Sequence, residues 1–219
     1  MLSRLNRVPD ADFNVDNWRR GLTYMATHAK SWPAFVSMSL RNELRQSQKN
    51  KNSYNWQTWY TNVVPAANDI STANPDVLVY LSGLDFDTKM GPVTTGADLG
   101  GGKHFSFGDF KGKNKIVFEL HNYSNDAKDC NGLKNSMYNN GYNAMDTSSK
   151  TTAKNIAPVV LTEFGFNQGK SDATSVYATC HKSNLLGQPG GPGSWFQWVL
   201  SGSYYIREGK QDFEETWGK

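Results

Sequence analysis

The chain has 219 residues, enough for one sizeable hydrophobic core, since a domain of this length buries roughly 70% of the surface that its unfolded chain exposes. Hydrophobic residues make up 37% of it, which is typical of a globular protein and excludes a disordered, collagen-like or coiled-coil chain. The net charge of +3 comes from scattered basic residues, so we expect no nucleic-acid partner. No stretch approaches the ~18 consecutive apolar residues of a membrane-spanning helix, so we expect no membrane span.

Helical and strand-like patterns alternate along the chain. The first helix is predicted to begin after Asn14, whose side chain can cap it, and to carry apolar residues at helical spacing as far as Ala29. The elements predicted after it are a strand over residues 35–40, a helix over 56–70, a strand over 77–81, a Gly-rich connection over 90–113, a strand over 116–120, a helix over 133–145, a strand over 159–162, a helix over 174–186 and a strand over 195–200.

This alternation predicts an α/β fold with a parallel sheet, either doubly wound or part of a (β/α) barrel. A doubly wound nucleotide-binding domain normally has a Gly-rich turn after its first strand, and the glycines of Leu99–Lys103 match neither GxGxxG nor a P-loop. That pattern disfavours nucleotide binding. The connection over 90–113 is too long for an ordinary loop and stands where a helix would be expected, so it is either functional or decorated.

The two cysteines, Cys130 and Cys180, fit neither a disulfide-framework miniprotein nor a zinc site of CxxC type. A single disulfide and two buried thiols both remain open. The N-terminal residues Met1–Pro9 lack the apolar run of a secretory signal peptide.

Polar and aromatic residues follow the predicted strands at the points where these end. Because the carboxyl ends of parallel strands meet at one edge of a sheet, we expect these side chains to converge. Two glutamates placed in this way could lie ~5 Å apart, the spacing that retaining glycoside hydrolysis requires. The residues are Asn42 and Glu43 after the first strand, His121 and Tyr123 at the third, Glu163 at the fourth, and Trp195 and Trp198 at the last.

Plainer interpretations exist for the same residues. Glu43 alone could pair with Arg41 or Arg45 on a solvated loop, and His121 and Tyr123 could form a hydrogen-bonded pair in the core. Glu163 is harder to explain in this way, because burying a charge after an apolar strand is costly. Trp195 and Trp198 are three residues apart on a predicted strand and should face opposite sides, so at least one of them is expected in the core.

Several motifs together carry a resemblance to a known family. These motifs occur in the same order as in glycoside hydrolase family 5, the cellulase family, to which the chain is similar. It is most similar to the fungal and plant endoglucanase-like members of that family. The similarity runs from about Phe13 to Trp217. The motifs are Leu40-Arg41-Asn42-Glu43, His121-Asn122-Tyr123, Leu161-Thr162-Glu163-Phe164-Gly165 and Trp198.

The resemblance implies hydrolysis of a β-linked polysaccharide or oligosaccharide, with no metal and no organic cofactor. Glu43 would be the general acid/base and Glu163 the nucleophile. Among the implied substrate-binding residues, Asn42 would bond the sugar 2-hydroxyl, His121 would line the subsite of the cleaved sugar, and Tyr123 would donate a hydrogen bond to the nucleophile. Trp198 would stack beneath the sugar ring, and Trp195 is the weaker candidate for that stacking.

The family fold is a TIM (β/α)8 barrel, and this chain accounts for about five of its eight βα units, strands 4 to 8. We therefore predict a single domain over residues 1–219 that is the C-terminal part of such a catalytic barrel. The family's Arg on the second strand and His on the third would lie upstream, and the intact protein would be secreted. An alternative is that the chain is a catalytically inactive form that binds carbohydrate or acts as a decoy. Which glycan is cleaved, whether cleavage is internal or terminal, and the oligomeric state are left open.

Overall fold

The fold is built on a five-stranded parallel sheet whose strands follow one another in chain order. A computed structural model describes residues 13–47, 51–166, 170–187, 194–198, 203–207 and 210–214. The strands of the sheet are β1 (Ser37–Ser39), β2 (Leu78–Ser82), β3 (Ile116–Asn122), β4 (Val159–Phe164) and β5 (Ser194–Gln197), and a separate antiparallel hairpin is formed by β6 (Ser203–Arg207) and β7 (Lys210–Glu214). The α-helices are α1 (Val15–Ala29), α2 (Trp56–Ala73), α3 (Gly91–Thr94), α4 (Cys130–Asn140), α5 (Lys170–Ala173) and α6 (Val176–Leu186).

The strand order decides between the two predicted α/β architectures. A doubly wound sheet reverses its strand order at a switch point, whereas this sheet runs from β1 to β5 without a reversal. Right-handed crossovers between neighbouring parallel strands then place every connecting segment on the same face. The sheet is therefore a half-barrel with its helices outside, as the partial-barrel prediction requires.

The first two helices begin where the sequence indicates, and α1 ends at Ala29 as predicted, whereas α2 continues three residues beyond the predicted end, to Ala73. The side chain of Asn14 accepts a hydrogen bond from the backbone N–H of Asn17, and Asn55 caps α2 in the same way through Thr58. The apolar face of α2 packs on β2, and its Trp59 indole donates to the carbonyl of Ser82. In the part of the chain that the structure describes, no helix has both the length and the apolar character needed to cross a bilayer.

The long connection over residues 90–113 covers the sheet with aromatic side chains in place of a helix. Phe105 and Phe110 are buried, and their rings contact each other at 5.3 Å and that of Tyr60 on α2 at 5.9 and 6.5 Å. Phe105 also meets Phe118 of β3 edge to face at 5.6 Å. The connection therefore replaces a helix by a loop whose aromatic side chains complete the core between α2 and β3.

One predicted helix is shorter than expected. The pattern over residues 133–145 predicted a single helix, but α4 ends at Asn140 and a separate 3-10 turn covers Tyr142–Met145. Gly141 between them has φ +156°, and a Cβ there would lie 2.8 Å from the side chain of Leu120. Glycine is needed for this close approach, and it ends the helix.

The expectation that Trp195 or Trp198 lies in the core is wrong. Both are about half exposed, at 52% and 49%, because β5 is the last strand of the sheet and Trp198 lies just beyond its end. The predicted strand extended to Leu200, and its last two residues, like the N-terminal stretch Met1–Pro9 and Trp217, lie outside the described residues. The β6–β7 hairpin was not predicted.

A disulfide joins Cys130, at the start of α4, to Cys180 on α6, which resolves the alternative left open by the sequence. Replacing both cysteines by serine should lower the free energy of unfolding by about 4 kcal/mol, because the bond closes a loop with a sequence separation of 50 residues in the unfolded chain. Urea unfolding of the double variant beside the oxidised parent chain measures this. A loss below about 1 kcal/mol would contradict the prediction.

His181, next to this disulfide, is buried at 2% exposure and stacks on Phe164 at 4.3 Å. Neither of its ring nitrogens has a hydrogen-bond partner among the described residues, and burial lowers the pKa of His181 to about 4. The folded-state pKa lies below the unfolded value of about 6.5, so the unfolded chain takes up a proton on His181 more readily than the folded one. The contribution of His181 to the free energy of unfolding is therefore fully present above pH 6.5 and is lost as pH falls toward 4.

Between pH 7 and pH 4, this protonation should lower the free energy of unfolding of the parent chain by about 3 kcal/mol. His181→Phe has no group that can take up the proton, so we expect this decrease to be absent in the variant. Urea unfolding of both chains at the two pH values measures it. The same loss in both chains would show that His181 does not cause it.

Candidate active site

Three side chains from three strand ends meet on the inner side of the half-barrel. Glu43 follows β1, while His121 and Glu163 lie near the carboxyl ends of β3 and β4. One oxygen of each carboxylate and one ring nitrogen of His121 all lie within 4.8 Å of one another. This distance agrees with the ~5 Å expected from the sequence, whereas the catalytic roles of the two glutamates stay predictions.

A β-bulge brings Glu163 to this position. Leu120 pairs with Leu161, but the next residue, His121, pairs with Glu163, so Thr162 is the extra residue in β4. The Thr162 hydroxyl donates to Glu119, which lies two residues before His121 on the same face of β3. Strict alternation would have placed Thr162 and Glu163 on opposite faces, and the bulge lets both reach the inner side.

His121 lies at the centre of the charged groups. Its Nδ1 shares a 3.3 Å hydrogen bond with Glu43 Oε1 and is 3.8 Å from Glu163 Oε2, and its Nε2 is 3.8 Å from Asp87 Oδ2 and 3.9 Å from Glu119 Oε1. Burial alone would lower the pKa of His121, but the bond to Glu43 and the charges of Asp87, Glu163 and Glu119 outweigh it and raise that pKa above its usual value. The site therefore favours an imidazolium among four acidic side chains.

Tyr123 contacts the second carboxylate directly. Its phenol donates a 2.8 Å hydrogen bond to Glu163 Oε2, the contact that the resemblance implies for the nucleophile. Burial raises the pKa of Tyr123 well above its usual value, and the bonded carboxylate raises it further. The phenol therefore keeps its proton and remains a donor that orients the carboxylate.

The backbone of Glu43 is held in an unusual conformation. Its φ is +49°, in the left-handed region that residues with a Cβ rarely adopt, and its N–H donates a 2.7 Å hydrogen bond to Asp87 Oδ2. Arg45 Nη1 lies 3.5 Å from Glu43 Oε2, so the ion pair of the plainer interpretation exists as well. It does not replace the site contacts, because the other oxygen of Glu43 bonds His121.

The remaining predicted binding residues surround this centre to different degrees. Asn42 is exposed beside Glu43. Trp198 lies close to Glu163, because its backbone N–H donates to the carbonyl of Phe164 and a Cβ on Gly165 would lie only 2.4 Å from its carbonyl oxygen. Trp195 instead places its ring 5.5 Å from that of Phe164, which itself stacks on α6. The backbone of Trp198 thus lies against the end of β4 and the ring of Trp195 against Phe164, and the stacking of either tryptophan on a sugar stays a prediction.

Two acidic residues of the site were missed by the sequence analysis. Glu119 is buried within β3 and accepts hydrogen bonds from Ser39 and Thr162. Asp87 lies after β2, and its side chain is fully buried. An acid two residues before His121 in an otherwise apolar strand signals the first. The signal for Asp87 is its position after the second predicted strand, at the same edge of the sheet as the other site residues.

A cleft of about 540 Å³ opens beside Glu43, His121 and Tyr123, whereas Glu163, Glu119 and Asp87 are not among its lining residues. Within the described residues, Glu43, His121 and Glu163 are the group of donor atoms close enough together to surround a cation. We assign no metal there, because the resemblance implies that Glu43 acts as the acid/base and Glu163 as the nucleophile, without a metal. The cleft is lined by Glu43, Phe86, Thr88, Leu120, His121, Asn122, Tyr123, Ser124, Asp126, Ser136, Met137, Asn140, Tyr142 and Leu161.

Solved structures share this fold. A beta-glucanase from Saccharophagus degradans superposes with a TM-score of 0.62 at 17% identity over 87% of this chain and 52% of that one. An endocellulase from Pyrococcus horikoshii gives 0.65 at 13% identity over 87% and 56%. The first protein has been crystallised with cellotetraose. Three variants of the second have been crystallised with the same ligand, two of them changed at a glutamate and one at a tyrosine.

Sequence comparison identifies the family. A glycosyl hydrolase 5 family protein from Chamaecyparis obtusa is 35% identical over 225 residues, which cover 95% of this chain and 36% of that protein. The chain thus spans about a third of the length of this relative and about half of that of the two structures. The model of the cellulase family, glycosyl hydrolase family 5, matches residues 10–196. The chain belongs to glycosyl hydrolase family 5.

Proposed function

We propose that the protein hydrolyses β-glycosidic bonds of a cello-type glucan with retention of anomeric configuration. The observation that carries this proposal is the approach of the Glu43 and Glu163 carboxylates to within 4.8 Å. Retaining enzymes place their two carboxyl groups about 5 Å apart, whereas inverting enzymes need about 6.5–9.5 Å to admit a water molecule between carboxylate and sugar. The family and the cellotetraose complexes of the two related structures support the substrate class.

In the first step, a Glu163 oxygen attacks the anomeric carbon while protonated Glu43 gives its proton to the leaving oxygen. The glycosidic bond breaks and a covalent glycosyl ester forms on Glu163. The phenol of Tyr123, bonded to Glu163 Oε2, orients the attacking carboxylate.

In the second step, Glu43, now ionised, takes a proton from water, and the resulting hydroxide displaces Glu163 from the anomeric carbon. Two inversions give net retention. His121, bonded to Glu43 Oε1 and close to Glu163 Oε2, holds the two carboxylates in one arrangement during both steps.

Substrate binding would use the surrounding residues in the roles implied by the resemblance. The exposed side chain of Asn42 is available to the sugar 2-hydroxyl, and Trp198 to the apolar face of a sugar ring. Secretion is part of the proposal as well, and the Cys130–Cys180 bond supports it, because disulfides persist mainly in oxidising compartments.

The stereochemistry of the product tests the proposal. Proton NMR of cellotetraose hydrolysis should show the β-anomer of the new reducing end first, with the α-anomer appearing later by mutarotation. Appearance of the α-anomer first would overturn the retaining mechanism. Calorimetric binding of cellotetraose without any turnover would overturn hydrolysis in favour of a carbohydrate-binding protein.

A further inference from the structure

We propose that Asp87 is a positioning residue that holds the backbone of Glu43 and the imidazole of His121 in the arrangement that glycoside hydrolysis needs. This inference rests on the proposed function and extends it to a residue on the β2 exit loop. The side chain of Asp87 is fully buried, so it offers no surface to a substrate. It acts through Glu43 and His121.

The contacts of Asp87 join the exit of β2 to Glu43 after β1 and to His121 on β3. Its Oδ2 accepts the N–H of Glu43 at 2.7 Å and lies 3.8 Å from His121 Nε2. Its backbone carbonyl accepts the N–H of His121 at 3.0 Å. Asp87 therefore constrains Glu43 twice, once through the main chain and once through the imidazole that bonds Glu43 Oε1.

The backbone on both sides of the contact is strained. Asp85, Phe86 and Asp87 have φ values of 58°, 60° and 58°, and Glu43 has φ 49°. Left-handed residues with a Cβ are sterically unfavourable and normally occur singly. Three in succession, facing a fourth across a hydrogen bond, are a local cost of the kind found where a catalytic arrangement is held in place.

The burial of the Asp87 carboxylate adds to this cost. Its Oδ1 has no hydrogen-bond partner among the described residues, and burial raises the pKa of Asp87 to about 7 against the opposing effects of His121 and the Glu43 N–H. A residue that served stability alone would be better replaced by an apolar one. We infer that the carboxylate is retained because it accepts the hydrogen bond from the backbone N–H of Glu43.

Other charged groups share the imidazole with Asp87. The imidazole of His121 also contacts Glu43 from the β1 exit, Glu119 from β3 and Glu163 from β4. Arg45 lies on the far side of Glu43 and pairs with its other oxygen. Glu43 and Glu163 lie on the Nδ1 side of the ring, and Asp87 and Glu119 on the Nε2 side. Glu119 is already bonded by two hydroxyls, so Asp87 is the Nε2-side carboxylate that also holds the backbone of Glu43.

Substrates with different leaving groups separate this role from a general loss of structure. Asp87→Ala should lower kcat about 100-fold for a cello-oligosaccharide, with KM changed less than about threefold, because it displaces the acid that protonates the leaving oxygen. With a 2,4-dinitrophenyl cellobioside, whose leaving group needs no proton, the fall in the glycosylation rate should be less than about tenfold. Asp87→Asn keeps an acceptor for the Glu43 N–H and should recover part of the lost kcat.

The matched control is Asp85→Asn in the same left-handed turn, where the carboxylate is half exposed and pairs with Lys89. It should leave both substrates unaffected. An equal loss on both substrates in Asp87→Ala, or a loss no larger than in Asp85→Asn, would overturn the proposal. Thermal unfolding of each variant checks that the fold is retained.

A second readout does not require hydrolysis. In Asp87→Asn the NMR titration midpoint of His121, assigned by its absence in His121→Gln, should fall by about one pH unit, and in Asp85→Asn it should not move. An unchanged midpoint in Asp87→Asn overturns the positioning role, even if the parent chain proves inactive. An inactive parent chain with a shifted midpoint overturns the proposed function alone.

Discussion

Replacing Glu163 by glutamine is expected to lower kcat/KM for cello-oligosaccharides on the order of 10⁴-fold or more. The amide has almost the same shape and can still accept the phenol hydrogen bond of Tyr123, but it is not a nucleophile, so no glycosyl ester can form. Such a loss corresponds to about 5.5 kcal/mol of transition-state stabilisation. Initial rates with cellotetraose, followed by reducing-end release, measure it.

The control is Asp76→Asn, which removes one exposed negative charge just before β2, at the opposite edge of the sheet from the site. It should retain the parent rate. Glu163→Gln should unfold within a few degrees of the parent chain and still bind cellotetraose. A variant that keeps more than about a tenth of the parent activity would remove Glu163 from the role of nucleophile.

Replacing Glu43 by glutamine is expected to have a large effect that depends on the leaving group. General acid catalysis contributes roughly 10²–10⁴-fold, so hydrolysis of a cello-oligosaccharide should slow by about that factor. With a 2,4-dinitrophenyl cellobioside the ester on Glu163 should still form quickly, because its leaving group needs no proton. The second step lacks its base, so the ester should accumulate and release of dinitrophenol should begin with a burst.

The burst of dinitrophenol and the mass of the modified protein are the measurements. Glu163→Gln serves as the matched control, since it should give neither a burst nor a labelled protein. If Glu43→Gln loses the same factor on both substrates and shows no burst, Glu43 is not the acid/base. A label on any residue other than Glu163 would reassign the nucleophile.

Much of the architecture could be predicted because it is encoded locally. Asn14 and Asn55 cap the first two helices, and the apolar runs leading to Glu43 and Glu163 are recognisable as strands by composition. The carboxyl ends of parallel strands share one edge, so ordering the strands was enough to place Glu43, His121 and Glu163 at the same edge of the sheet.

Other parts depend on contacts between distant residues and have no local signal. The bulge at Thr162 arises where β4 is adjusted to β3, and a simple alternation would have turned Glu163 away. The left-handed turn ending at Asp87 contains no glycine, so nothing in its composition indicates that conformation. The exposure of Trp195 follows from its place on the last strand, which periodicity does not reveal.

Glu43 and Glu163 are brought together through β2 and β3, which lie between their strands. A slip of one residue at any of these pairings would move a carboxylate by about 3.3 Å and turn it to the other face. On the proposed function, catalytic turnover after renaturation would therefore report correct registration across four strands at once. It should discriminate faithfully refolded molecules from near-native ones that circular dichroism would count as recovered.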